Sequence, residues 1–127
     1  GKYYFLETSS RVGGAHIPDM VEAATGINLW REWARLENAL LRQLPYDTAK
    51  PTGFFAGLII ALAKEKHPDT LPFECPQVVR FLPIDNHIGI IYKSDSEELI
   101  LKKLDEAATT ITENILNIIP PKEKPSA

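Results

Sequence analysis

The chain has 127 residues, with 14 Lys and Arg against 17 Asp and Glu, for a formal charge of −3. That length fits one domain, since domains run about 100–150 residues. The mildly acidic balance excludes a protein that coats nucleic acid by charge, and 44% hydrophobic with 24% charged residues excludes wholesale disorder. Cys75 is the one cysteine, which excludes an intrachain disulfide framework and a multi-cysteine zinc site. The longest uncharged apolar run, Gly53 to Ala63, stops at Lys64, short of the roughly 18–20 residues that span a bilayer. No basic segment followed by an apolar stretch opens the chain. The expectation is a cytoplasmic protein with no membrane or nucleic-acid partner.

The chain enters an aromatic, β-like segment almost at once. Residues 2–8, with Tyr3-Tyr4-Phe5-Leu6, predict a strand that leads into a Gly13-Gly14 loop. Ile17, Met20, Val21 and Ala24 fall on one helical face. Pro18 suits the first turn of that helix, and Gly26 suits the left-handed position after its end. A second helix is predicted over 28–44, with Asn28 as its N-cap. Its apolar stripe is Leu29, Trp33, Leu36, Leu40 and Leu44, widened by Trp30 and Leu41, and the two tryptophans are expected in the core.

Pro45 to Gly53 reads as loop. The run Phe54 to Leu62 suits a strand or a buried helix by periodicity. Its length, the β-branched pair Ile59-Ile60 and the leading Phe54-Phe55 favour a central buried strand. Segments 77–82 and 88–93 predict an antiparallel hairpin across five loop residues. Ser94 and Glu97 predict a capping box for the last helix. Its stripe runs through Leu101, Leu104, Ala108, Ile111, Ile115 and Ile118. Pro120-Pro121 ends it, and 120–127 is expected as a frayed tail. The whole is expected as a single α+β domain, a mainly antiparallel sheet with packed helices.

Chemistry-bearing residues concentrate near the start. If the first strand continues through Glu7-Thr8-Ser9-Ser10-Arg11, then Glu7, Ser9 and Arg11 point the same way, each roughly 6.5–7 Å from the next. A carboxylate is a hard oxygen ligand suited to Mg²⁺, and a guanidinium clamps phosphate or carboxylate. Gly13 and Gly14 admit close approach of backbone N–H groups to an anion at a helix start. The plainer reading of the same residues is a solvated strand end with a surface Arg–Glu pair.

Over a longer stretch the pattern gains specificity. Tyr4 to Ile17, with Arg11 and Gly13-Gly14, followed by Met20 to Leu29, with Ala24-Thr25-Gly26, resembles the C-terminal catalytic motif of the ATP-grasp superfamily. The resemblance is nearest to its carboxylate–amine ligase and biotin-carboxylase-like branches, and it covers residues 1–35. It implies that the chain is the C-terminal part of an ATP-grasp fold, with Mg²⁺ and ATP as cofactors of the whole enzyme. It implies Glu7 as a metal-binding carboxylate and Ser9 in the place of the family's metal-ligating Asn. Arg11 would act on the transferred phosphoryl group, and Gly13, Gly14 and His16 would lie against substrate. The reaction implied turns a carboxylate into an acyl phosphate that an amine then attacks. The partners implied are the N-terminal and nucleotide-binding lobes of the same protein, without which this chain is expected to be inactive.

The other candidates read as structure. His16, His67 and His87 are scattered without a partner at metal-ligand spacing. Cys75 has no neighbouring His and reads as an incidental thiol. Asp95, Glu97, Glu98, Asp105 and Glu106 read as a solvated face. The alternative to the ligase is a non-catalytic interaction or dimerisation module, with edge strands and the 94–118 helix as its contacts. Apolar faces left open by the missing lobes would favour a homo-oligomer.

Overall fold

Proline near the start and glycine past the end bracket the first helix. The computed structural model describes residues 11–117. Within them α1 spans Ile17–Thr25, with Pro18 in its first turn and Gly26 left-handed at φ 73°, its N–H donating to the Glu22 carbonyl. Asn28 caps α2 (Leu29–Arg42), its side-chain oxygen accepting from the Arg31 N–H at 2.9 Å. The strands are β1 (Phe55–Leu62), β2 (Val78–Phe81) and β3 (His87–Ser94), and α3 spans Glu97–Asn114. The expected strand over 2–8 and the tail over 120–127 lie outside the described residues.

The described residues form an α+β fold with a three-stranded antiparallel sheet and three α-helices. Strand order is β1-β3-β2. β1 pairs with β3 along its length, from Phe55 opposite Ser94 to Leu62 opposite His87. β2 and β3 form the expected hairpin, with a bulge between Val78 and Arg80. The Phe54–Leu62 run is not the central strand. β3 is, and its Ile88, Ile90, Ile91 and Tyr92 are buried because it alone takes neighbours on both edges and both faces. Hydropathy along a run does not record which strand takes the middle.

Alternation along β1 splits the core in two. Ile59 and Ala61 face the larger cluster, built on Ile88, Ile90, Tyr92, Ile100, Ala107 and Ile111. Ala56, Leu58 and Ile60 face the smaller one, with Ala23, Leu82 and Ile91. α3 therefore covers one face and α1 the other. α1 turns Pro18 and Ala23 inward and leaves Ile17 exposed, so its expected face is rotated.

Two details of α3 also differ from expectation. Ser96, not Ser94, is the N-cap, its hydroxyl accepting from the Leu99 N–H at 3.3 Å. Ser94 is still in β3, paired with Phe55, and its hydroxyl accepts from the Ser96 N–H at 3.1 Å. Of the expected stripe Ile111 is buried and Leu104 and Ile115 pack against the same core, joined by Ile100 and Ala107, whereas Leu101 and Ala108 are exposed. The helix ends at Asn114 because Leu116 bridges Ala63. There Lys64 N–H donates to the Ile115 carbonyl and Asn117 N–H to the Leu62 carbonyl, both at 3.0 Å.

The largest departure is α2. Its apolar stripe was expected to pack, and both tryptophans to be buried. Instead Trp30, Trp33, Leu36, Leu40, Leu41 and Leu44 are exposed, while Glu32 and Ala39 are buried. Glu32 is held by two neighbours. Arg35 Nη1 donates to both Glu32 carboxylate oxygens at 2.9 Å, and the Tyr46 hydroxyl donates to Oε2 at 3.0 Å. Arg35 chiefly holds the Glu32 carboxyl below the usual carboxylate range, with Tyr46 helping and burial opposing. Tyr46 thus ties the returning segment to the charged side of α2, and the apolar side is left to solvent.

Candidate functional site

Two successive residues before α1 adopt left-handed backbone, Ala15 at φ 52° and His16 at φ 60°. Such residues cost about 1–2 kcal/mol each, and strain of this kind clusters at functional sites. The reversal is closed by Ile17 N–H donating to the Gly14 carbonyl at 3.1 Å. It sets His16 against the helix it caps.

His16 Nδ1 lies 2.9 Å from Asp19 Oδ2, and Arg80 Nη1 donates to Asp19 Oδ1 at 2.8 Å. A carboxylate oxygen accepts, so Nδ1 is the donor in this contact, and in the neutral ring Nε2 is the acceptor. A carboxylate that orients an imidazole in this way is the arrangement of a positioned proton acceptor. The line Arg80–Asp19–His16 crosses from β2 to α1.

His16 lines a cleft of about 520 Å³, shared with Gly13, Gly14, Trp30, Ile60 and His87. His87 Nδ1 donates to the Asp85 carbonyl at 2.9 Å, which in the neutral ring leaves Nε2 to accept. The wall over Ile60 is apolar. His87 also borders a second depression of about 290 Å³ that holds Lys66 and His67. Lys66 Nζ is 3.2 Å from Asp85 Oδ2, so the outer rim is charged and the inner cleft carries two imidazoles.

Gly13 and Gly14 form the other wall. Neither has positive φ. A Cβ on Gly13 would touch Ile17 at an ordinary 3.7 Å, and one on Gly14 would meet nothing within 4 Å. The fold therefore does not require glycine at either place. What their missing side chains leave is backbone open to the cleft.

Of the residues singled out in the sequence, the structure brings Gly13, Gly14 and His16 together on one cleft. Arg11 is exposed, its Nη1 donating to the Val12 carbonyl at 3.3 Å, and it does not line the cleft. Glu7 and Ser9 lie outside the described residues. Among the described residues no group of three or more His, Cys, Asp or Glu side chains could hold a metal ion. Cys75 is half-buried, beside Tyr92, Lys103 and Glu106 around a cavity of about 80 Å³.

Sequence reading missed three participants. Asp19 gives His16 a carboxylate partner three residues on, a spacing that adjoins on a helix and was legible. Arg80 and His87 come from the distant hairpin, and nothing local marks them. No described helix is long and apolar enough to cross a membrane. No protein-family model matches the chain, and comparison with curated proteins and with solved structures yields no match. The ATP-grasp resemblance rests on the residues of its motif.

Proposed function

We propose that the chain is the C-terminal portion of an ATP-grasp ligase, which activates a carboxylate as an acyl phosphate for attack by an amine. One observation carries this reading. Glu7-x-Ser9-x-Arg11, Gly13-Gly14 and Ala24-Thr25-Gly26 stand in one run, and Gly13, Gly14 and His16 share a cleft of about 520 Å³. Two glycines that the backbone does not need, next to an Asp-oriented histidine, suit a substrate wall.

The roles follow from the chemistry of the side chains. Glu7 and Ser9 would supply oxygen ligands to Mg²⁺. Arg11 would neutralise charge on the transferred phosphoryl group, where positioned cations do most of the catalysis. Gly13 and Gly14 would let substrate lie against backbone. His16, held by Asp19, would accept a proton from the amine as it attacks. ATP itself would be gripped by a lobe that precedes this segment in the whole protein.

The test uses the protein with its ATP-binding lobe, with ADP release and hydroxylamine trapping of the acyl phosphate as readouts. Arg11→Ala is expected to lower turnover roughly 100-fold or more with an unchanged circular dichroism spectrum. Full turnover in that variant refutes the assignment. Micromolar Mg-ATP binding by the 127-residue chain alone refutes the division of labour.

The second reading is a non-catalytic interaction or dimerisation module. The exposed stripe of α2 favours it. The 94–118 helix does not, because α3 spends Ile100, Ala107 and Ile111 on the sheet.

A further inference from the structure

At 3.6 residues per turn, Leu36, Leu29, Leu40, Trp33, Leu44, Trp30 and Leu41 fall within one arc about 140° wide on α2 and its C-terminal extension. Glu32 and Ala39, the buried residues of the helix, flank the arc just beyond its Leu36 edge, and Arg31, Arg35 and Arg42 on the far side are exposed. An amphipathic helix ordinarily turns its apolar arc inward. Here Leu41 is 84% exposed, Leu40 65% and Trp30 52%. Glu37 is the one charged residue inside the arc, and its carboxylate accepts from Trp33 Nε1 at 3.1 Å.

The exposed apolar surface of this arc is roughly 700 Å², above the 300–600 Å² that is usual for the largest patch of a monomer. A standard interface takes about 800 Å² from each partner. Two such arcs together amount to about 1,400 Å², inside the 1,200–2,000 Å² of standard interfaces. A two-fold pairing of α2 with α2 closes on itself and leaves no part of the arc uncovered.

We infer that the apolar face of α2 is a homodimer interface, occupied by the same face of a second copy of this chain. The pair buries at most about 1,400 Å² in total, within the standard interface range. Trp30 belongs to both the arc and the cleft wall, so the second copy comes to lie at the mouth of the cleft. Pairing needs neither ATP nor metal, so its test is read separately from the ligase assay.

Sedimentation velocity of the 127-residue chain tests it, at concentrations from about 1 to 100 μM. The expected mass is twice the 14.2 kDa of one chain. Leu40→Glu combined with Leu41→Glu is expected to give the single-chain mass with an unchanged circular dichroism spectrum, since both side chains are exposed in the folded protein. Leu71→Glu, exposed but away from α2, is expected to remain paired. The chain's two tryptophans are Trp30 and Trp33, so emission should shift to the red as wild-type protein is diluted apart. A wild-type chain that stays single at 100 μM overturns the inference, as that would leave the face to a different partner. A pair that persists in the double variant, or that dissociates with no change in emission, overturns it as well.

Discussion

Replacing Gly57 with alanine probes the contact on which α3 rests. A Cβ at Gly57 would lie 2.8 Å from Ile100 Cγ2, 2.9 Å from Leu104 Cδ1 and 3.1 Å from Leu104 Cγ. Ile100 is buried at 4% exposure, so its methyl has nowhere to swing, and α3 must lift or Leu104 must change rotamer. Inserting one carbon into packing of this kind costs about 1–3 kcal/mol. The less flexible unfolded chain returns about 0.4–1 kcal/mol. Gly57→Ala should therefore destabilise by about 1.3 kcal/mol at the middle of these ranges. Urea unfolding followed by far-ultraviolet circular dichroism is the suitable assay, because both tryptophans sit on α2, away from this contact. Leu104→Ala removes two of the three crowding atoms. Combined with Gly57→Ala it should cost less than the two single changes together, by about 0.5 kcal/mol or more. A neutral or stabilising Gly57→Ala, or strict additivity with Leu104→Ala, would refute the reasoning.

Other perturbations have equally definite outcomes. The Glu32 carboxyl is lowered in the folded protein, first by Arg35, so its stabilisation is full above the ordinary carboxylate value and disappears as pH falls through the lowered one. The thermal midpoint of wild type should thus fall more steeply than that of Glu32→Gln between about pH 6 and pH 3. Equal slopes would remove Glu32 as the anchor of α2. Ser96→Ala should cost about 0.5–2 kcal/mol as the loss of an N-cap. Ser94→Ala should cost less, and the reverse order in denaturant melts would restore Ser94 as the cap.

The candidate site shows how far adjacency in the chain carries a reading. Gly13, Gly14 and His16 are neighbours, so their shared wall was legible as soon as the loop was recognised. Asp19 lies one turn on, and its bond to His16 follows from helical spacing. Arg80 and His87 join the same site only because the hairpin of β2 and β3 lies beside α1. No local pattern encodes that approach, and His87 looked like a stray residue until the sheet formed.

The fold divides along the same line. Asn28 as a cap, Gly26 as a left-handed stop, the strand over 55–62 and the hairpin were all determined by the sequence itself, since each depends on residues within a few positions of one another. Tertiary structure decided that β3 and not β1 is central, that α3 is capped by Ser96, and that α2 buries Glu32 and Ala39 rather than its apolar stripe. Those outcomes depend on contacts between distant segments. A periodic apolar stripe specifies a helix with one oily face, whereas the direction that face takes is set by what else the chain can pin. In α2 the inward residues are Glu32, bonded by Arg35 and Tyr46, and Ala39, while the stripe stays exposed.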